Sequence, residues 1–190
     1  MSTLILLFVA LMLITWAFNI IVLTSTVLFF TVDEAYGIFN SKALALIKLI
    51  IGKLKLNPSY IFLDLDKLHD LNEAYGHAVV DRMIKTSFNQ FRRMSLMRMP
   101  DFIFRYYSGD EFLIIVFGSN GLGAAHRCLE TMVTPLSATV CVSESIEDAV
   151  AGCEYMKRNN LRGRIMEYKD IPQSYPIPIQ VGVICQTIKN

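Results

Sequence analysis

The sequence predicts an α/β sandwich of the ferredoxin-like, palm type, with a mixed sheet antiparallel at its centre and one transmembrane helix in front of it. Three observations predict it. Residues 4–30 form an almost unbroken apolar run, longer than the roughly 20 residues that span a bilayer core. From there strand-like and helix-like segments alternate, the mark of helices layered on a sheet. Between residues 102 and 116 two runs of β-branched and aromatic residues flank a short polar turn, which reads as a β-hairpin in the middle of that alternation.

The first run sets the organisation. No charged residue lies between Ser2 and Val32, and the hydrophobic fraction of 53% in 190 residues owes its height to this stretch. Thr15, Asn19, Thr24, Ser25 and Thr26 interrupt it, each able to hydrogen-bond within a helix or across to another. A basic start, a shorter apolar core and a small-residue cleavage site would mark a signal peptide, and the expectation is instead an uncleaved anchor over residues 1–32, with 33–190 as the second domain. Lys42, Lys48, Lys53 and Lys55 all follow the helix, so the positive-inside rule places the body in the cytoplasm and Met1 outside: a single-pass protein of the inner, cytoplasmic membrane.

Beyond the anchor, a polar segment with Gly37 and Asn40 leads into a helix over 43–54 capped by Asn40 or Ser41. Residues 60–66 form a strand, apolar at its start and acidic at its end; a helix follows to Tyr75 and stops at Gly76. Asp81 is expected to open the next helix, to Arg92, with Met83, Ile84, Phe88 and Phe91 on one face. Residues 98–101 turn into the hairpin. Residues 118–123 read as a surface loop whose glycine spacing fits no phosphate-binding pattern, followed by a helix over 124–133, a strand over 138–142, a helix over 146–160 opened by Ser143 or Ser145, and strands over 163–168 and 177–185.

The chemistry gathers at two places. Asp64 and Asp66 lie two apart on a strand and so point to one face, opposite Leu63 and Leu65. In the hairpin, Ser108 and Gly109 supply the turn and Asp110 and Glu111 its tip. Two adjacent carboxylates repel unless a cation or proton compensates; by itself the turn is either half of a divalent-metal site or a solvated loop. Cys128, Cys141, Cys153 and Cys185 have apolar neighbours and no CxxC spacing, which predicts core thiols in a reducing compartment rather than a zinc site or a disulfide framework. A net charge of +1 gives no footprint for duplex nucleic acid.

Taken together, YIFLDLDKLHDLNEAYGHAVVD at 60–81 followed by SGDEF at 108–112 resembles the GGDEF domain, the diguanylate cyclase family, and residues 33–44 are similar to that family's opening segment. The likeness covers about 33–168, is strong over 60–116 and weak after 120. It implies a palm-type nucleotide cyclase that joins two GTP into cyclic di-GMP and pyrophosphate with Mg²⁺ or Mn²⁺, acting as a homodimer because two sites face each other across two substrates. By the same resemblance Asp64, the Leu65 carbonyl, Asp110 and Glu111 hold metal. Asp64, Asp110 and Glu111 are then the catalytic acids, Asp110 also helping to deprotonate the attacking hydroxyl. Asn72 and Asp81 read guanine, since a carboxylate accepts from donors that adenine does not offer in that arrangement. Lys157 contacts the triphosphate, Gly109 allows the nucleotide to approach, and Arg98 with Asp101 forms an RxxD inhibitory site.

The departures from the family pattern carry their own expectations. Ser108 replaces the first glycine, and Tyr107 is one residue more than the usual spacing, which predicts a bulge in the hairpin. His69, in the substrate-binding set, stands where the family has a lysine near the terminal phosphates, and Arg162 or Arg164 takes the place of its glycine- and arginine-rich end. These leave two alternatives to a membrane-anchored diguanylate cyclase: a catalytically silent domain that binds GTP or cyclic di-GMP and signals to a membrane partner, and a palm-type cyclase of other nucleotide specificity.

Overall fold

The computed structural model describes residues 2–95, 102–107, 109–118 and 120–172. The chain divides into two compact units between Val32 and Asp33. The expected strand at 177–185, Cys185, Ser108 and the turn carrying Arg98 and Asp101 lie outside the described residues.

The first unit is the helix α1 (Ser2–Thr31). Its window Ile5–Val27 is long and apolar enough to cross a membrane, with a mean hydropathy of 2.6. The threonine interruptions are satisfied inside the helix: Thr15 Oγ1 donates to the Met12 carbonyl at 2.9 Å, and Thr24 and Thr26 donate to the carbonyls four residues back at 2.7 and 2.8 Å. Each hydroxyl thus needs no water or partner helix to complete its bonding.

The second unit is a sheet covered by helices on both faces. Its elements are β1 (Val32–Asp33), β2 (Ile38–Phe39), α2 (Ser41–Leu54), β3 (Ser59–Leu65), α3 (Leu68–Tyr75), α4 (His77–Ser95), β4 (Phe102–Arg105), β5 (Glu111–Val116), α5 (Gly121–Glu130), β6 (Ala138–Ser143), α6 (Ile146–Arg158), β7 (Ile165–Glu167) and a 3-10 turn (Tyr168–Asp170). The strand order is β1-β2-β4-β5-β3-β6-β7. β3 pairs antiparallel with both β5 and β6, whereas β2 with β4 and β6 with β7 are parallel. The sheet is mixed and antiparallel at its centre, as the alternation predicts.

Strand parity divides the core. Ile61, Leu63, Phe112 and Ile114 pack with Ile84, Phe88 and Phe91 of α4 and with Ala125 and Cys128 of α5. Phe62, Leu113 and Ile115 pack on the opposite face with Ala43, Leu44 and Ile51 of α2 and Ala149, Cys153 and Met156 of α6. Burial on both faces is why β5 reads as a continuous apolar run instead of alternating. Cys128, Cys141 and Cys153 are buried, and burial pushes the Cys141 thiol up to about 12, so it packs as a small apolar side chain.

Several local expectations are corrected. α4 begins at His77, not Asp81, because the chain turns at Gly76, whose carbonyl accepts from both Val79 N and Val80 N; Asp81 is in the second turn and caps nothing. α5 begins at Gly121, three residues before the expected start, because the Asn120 side chain accepts from Gly123 N and caps it. The last expected strand within the described residues shrinks to Ile165–Glu167. Asn40 and Ser145 prove to be the caps of α2 and α6.

α6 lies so close to β6 that a Cβ on Gly152 would stand 2.2 Å from Cys141 Sγ and 3.0 Å from Ile171 Cδ1. Gly152→Ala is therefore expected to lower stability by about 2 kcal/mol, the overpacking penalty exceeding the roughly 1 kcal/mol that alanine gains in a helix. Chemical denaturation checks this, and Cys141→Ala in the same chain should recover part of the loss.

Candidate functional site

The acids meet where β3 and β5 end together. Asp64 pairs directly with Glu111 on one side and with Thr139 on the other, and opposed residues of antiparallel neighbours share a face. That face is the α6 face, and Lys157 near the end of α6 forms an ion pair with Asp64 Oδ2. Asp64 has 2% of its surface exposed, so the lysine is the nearest compensation for a carboxylate almost out of water.

Burial dominates the electrostatics. It raises Asp64 above the ordinary carboxylate range, against the lowering pull of Lys157 and with further raising by Asp110 and Asp66. Glu111 is raised by burial and then by the charges of Asp64 and Asp110. Burial alone would lower Lys157, but its bond to Asp64 and the surrounding negative charge raise it. The cluster at the strand ends is rich in acids, with the Lys157 ammonium paired to Asp64 and negative charge left over.

The hairpin differs from expectation in two ways. β4 and β5 pair without interruption, Phe102 with Ile115 through Arg105 with Phe112, and Tyr106 N continues the ladder to the Glu111 carbonyl at 2.9 Å. No bulge forms among the described residues; the additional residue, Tyr107, is taken up in the connection, where it is 63% exposed. Glu111 is not at the tip but opens β5. Asp110 remains in the turn, and its carbonyl accepts from Leu65 N at 3.0 Å, which fixes the hairpin to the end of β3.

Asp66 lies just past β3, 5% exposed. Its Oδ1 accepts from Thr139 Oγ1 at 2.8 Å and stands 3.7 Å from the Arg162 guanidinium, while Gly163 N donates to the same threonine hydroxyl at 3.2 Å. This ties the turn after α6 to the acidic strand and brings Arg162 to the site; the backbone carbonyl of Arg164 accepts from Val140 N. The alternation of Asp64 and Asp66 was legible beforehand. Thr139 had no sequence signal, because only strand pairing places it there.

Lys67 takes a left-handed conformation, φ 54°, to turn the chain from β3 into α3, uncommon for a side-chain-bearing residue. α3 then carries His69 and Asn72. His69 is on the surface, its Nε2 3.3 Å from Glu73 Oε1. Asn72 is half-buried in mid-helix, with its carbonyl accepting from Gly76 N. Asp81, half-buried on α4, accepts from the Tyr36 hydroxyl at 3.0 Å, and burial and that bond push Tyr36 up to about 12. Tyr36 is a partner the sequence did not announce. It is itself held by Arg105, which stacks 5.0 Å over its ring and pairs with Asp33 at 2.9 Å.

Among the described residues, no three His, Cys, Asp or Glu side chains converge as a metal cluster. The donor set nonetheless fits Mg²⁺ or Mn²⁺. These hard ions bind through one or two carboxylates and fill the remaining positions with water and substrate oxygens, and Asp64 opposite Glu111 is such a pair, with the negative charge to match.

A palm-type sheet with carboxylates at the adjacent ends of its central strands defines a nucleotide-cyclase-like domain. The chain belongs to the GGDEF family: the model of the diguanylate cyclase GGDEF domain matches residues 44–167. Solved structures share the fold. SiaD, a diguanylate cyclase from Pseudomonas aeruginosa solved with its activator SiaC, is 17% identical, with 81% of this chain and 69% of that one covered and a TM-score of 0.62. The GGDEF domain of DgcB from Caulobacter crescentus, solved with c-di-GMP, is 20% identical over 73% of this chain and 93% of that one, at a TM-score of 0.57. No curated protein matches the chain.

Proposed function

We propose that the chain is a membrane-anchored diguanylate cyclase that condenses two GTP to cyclic di-GMP and pyrophosphate, with residues 1–32 as its anchor and 33–190 as its cyclase domain. The observation that carries this is the direct pairing of Asp64 with Glu111, with Lys157 bound on the same face. Asp64, the Leu65 carbonyl, Asp110 and Glu111 would hold Mg²⁺ or Mn²⁺. The ion, when bound, neutralises triphosphate charge and acidifies the attacking hydroxyl.

The residues of the chain supply the rest. Asp110 accepts the proton of the 3′-hydroxyl, whose oxygen forms a bond to the α-phosphorus of the other nucleotide as the bond to pyrophosphate breaks. Lys157 and Arg162, which pair with Asp64 and Asp66, compensate triphosphate charge. Asn72 and Asp81 read the guanine edge; the Tyr36 hydroxyl occupies one oxygen of Asp81 and so aims the other. One domain supplies half of a two-substrate reaction, so the active form is a homodimer. The anchor places the domain at the inner membrane, cytoplasmic side, with Met1 outside. RxxD inhibition through Arg98 and Asp101 is part of the same proposal.

Incubating the purified full chain with GTP and Mg²⁺ or Mn²⁺ tests it: cyclic di-GMP and pyrophosphate are the expected products, and none, beside an active control cyclase, rejects it. Gly109 sharpens the test. Among the described residues a Cβ there would meet only Leu68 Cδ2, at 3.9 Å, an ordinary contact, so packing against them does not demand glycine. Gly109→Ala should leave the melting temperature within about a degree, a surface-type change, while raising the KM for GTP several-fold.

A second reading has one observation behind it. His69, at the position of the family's phosphate lysine, is turned to solvent beside Glu73, which removes a cation from the terminal phosphates. A silent domain that binds GTP or cyclic di-GMP without turnover predicts binding by calorimetry and no product.

A further inference from the structure

α2 is apolar on two sides. Ala43, Leu44 and Ile51 are buried against the sheet, yet Leu46, Leu49, Leu54 and Leu56 at its other faces and its end are 51%, 53%, 64% and 39% exposed. Leucines at that level of exposure along one short helix form a patch, not the scattered apolar residues of an ordinary surface. From Ser41 to Lys55 the only charged residues are lysines, Lys42, Lys48, Lys53 and Lys55. Lys48 stands 3.6 Å from Glu147; Lys53 and Lys55 are exposed beside the leucines.

We propose that this outer face of α2 docks on the anionic lipid surface of the membrane, the leucines entering the headgroup boundary and the lysines meeting the phosphates. The inference rests on reading α1 as the membrane anchor. Leucines interleaved with lysines suit that interface, because a lysine stem lies along apolar surface while its ammonium group reaches the headgroups, and each lysine near an anionic leaflet adds attraction. Chain length permits it: only residues 32–40, which carry β1 and β2, separate α1 from α2, and even fully extended they would span at most on the order of 30 Å. A second copy of the chain is the poorer occupant, because a two-fold contact through this face would set lysines against lysines with no acid on the helix to relieve them. Docking of α2 holds the cyclase domain close to the bilayer, so the lipid composition bears on how two domains meet.

The chain has one tryptophan, Trp16 in α1, so Trp16→Phe gives a silent background in the full-length protein. Leu49→Trp, and separately Leu46→Trp, then report on α2 in vesicles of phosphatidylcholine with phosphatidylglycerol, using lipids brominated on their acyl chains. The expected result is fluorescence quenching of about twofold or more, as for a side chain some 5–10 Å into the interface, with a Tyr107→Trp control unquenched. Lys53→Glu with Lys55→Glu, or vesicles of phosphatidylcholine alone, should abolish it. Flotation of the chain with the vesicles, resistant to carbonate, reports the anchor separately. Flotation without quenching overturns the docking alone, and failure to float overturns the anchor and the docking with it. Quenching indifferent to lipid charge overturns the anionic surface, and a blue shift that grows with protein-to-lipid ratio in place of quenching assigns the face to a second copy.

Discussion

Glu111→Gln is expected to raise the melting temperature of the cyclase domain near neutral pH while reducing cyclic di-GMP formation by at least about 100-fold, the scale of losing a group that acts in the transition state. Glu111 is raised above its ordinary value of 4.5 by burial and by Asp64 and Asp110. A carboxyl with a raised native value holds its proton to higher pH than in the unfolded chain. The folded state therefore binds more protons than the unfolded one between those two values, and stability falls as pH rises through that window. Above the window the cost is constant, so the glutamine variant is the more stable protein at pH 7. Below about 4.5 both forms are neutral and the advantage closes. Thermal unfolding of the detergent-solubilised chain at a series of pH values checks this. Addition of Mg²⁺ with GTP should stabilise the wild type and leave the variant nearly unmoved, since ligand binding to the native state is what shifts the midpoint.

The second large effect belongs to Lys157. Its ion pair with Asp64 joins a side chain 28% exposed to one 3% exposed. Removing one partner of a well-buried pair costs about 3–5 kcal/mol; the partial exposure of the lysine reduces the expectation for Lys157→Met to about 2–3 kcal/mol at pH 7. The loss comes from the stranded Asp64 carboxylate, so it has a pH signature. Without the lysine the native Asp64 value rises further, and as pH falls through it the carboxyl takes a proton and the gap to wild type narrows. Asp64→Asn in the same chain should return most of the stability at pH 7 without restoring cyclic di-GMP formation. A Lys157→Met loss that is equal at pH 7 and pH 4 would mean that the lysine stem, through its packing, accounts for the effect.

The two predictions point in opposite directions on stability for neighbouring groups, which is the behaviour of a site holding more negative charge than the fold itself can compensate. That surplus is what a cation and a triphosphate would meet.

The elements with strong local signals were legible in the sequence. The apolar run gave α1, alternation gave the acidic end of β3, and Gly76 closed α3 as expected. Where competing local signals existed, the outcome depended on contacts far along the chain. Asp81 had the composition of a cap, yet it lies within α4 and is held by Tyr36, a residue 45 positions away. Tyr107 read as a bulge, yet the β4 and β5 ladder is continuous, because Phe104 and Leu113 are fully buried and a slip would turn apolar side chains off their faces.

By itself, then, the sequence determined an apolar helix long enough to span a bilayer, the mixed sheet behind it, and acids at the ends of two strands. Those follow from periodicity and residue chemistry over short windows. Only the tertiary structure decided that Asp64 and Glu111 stand opposite each other, that Lys157 is bound between α6 and the strand, and that Arg162 reaches Asp66 through the turn at Gly163. Register, crossing and burial set these relations. The hairpin first read as an acidic turn is a strand-borne Glu111 paired with Asp64, because hydrogen bonding between distant segments, not the spacing of residues, brings two carboxylates to one face.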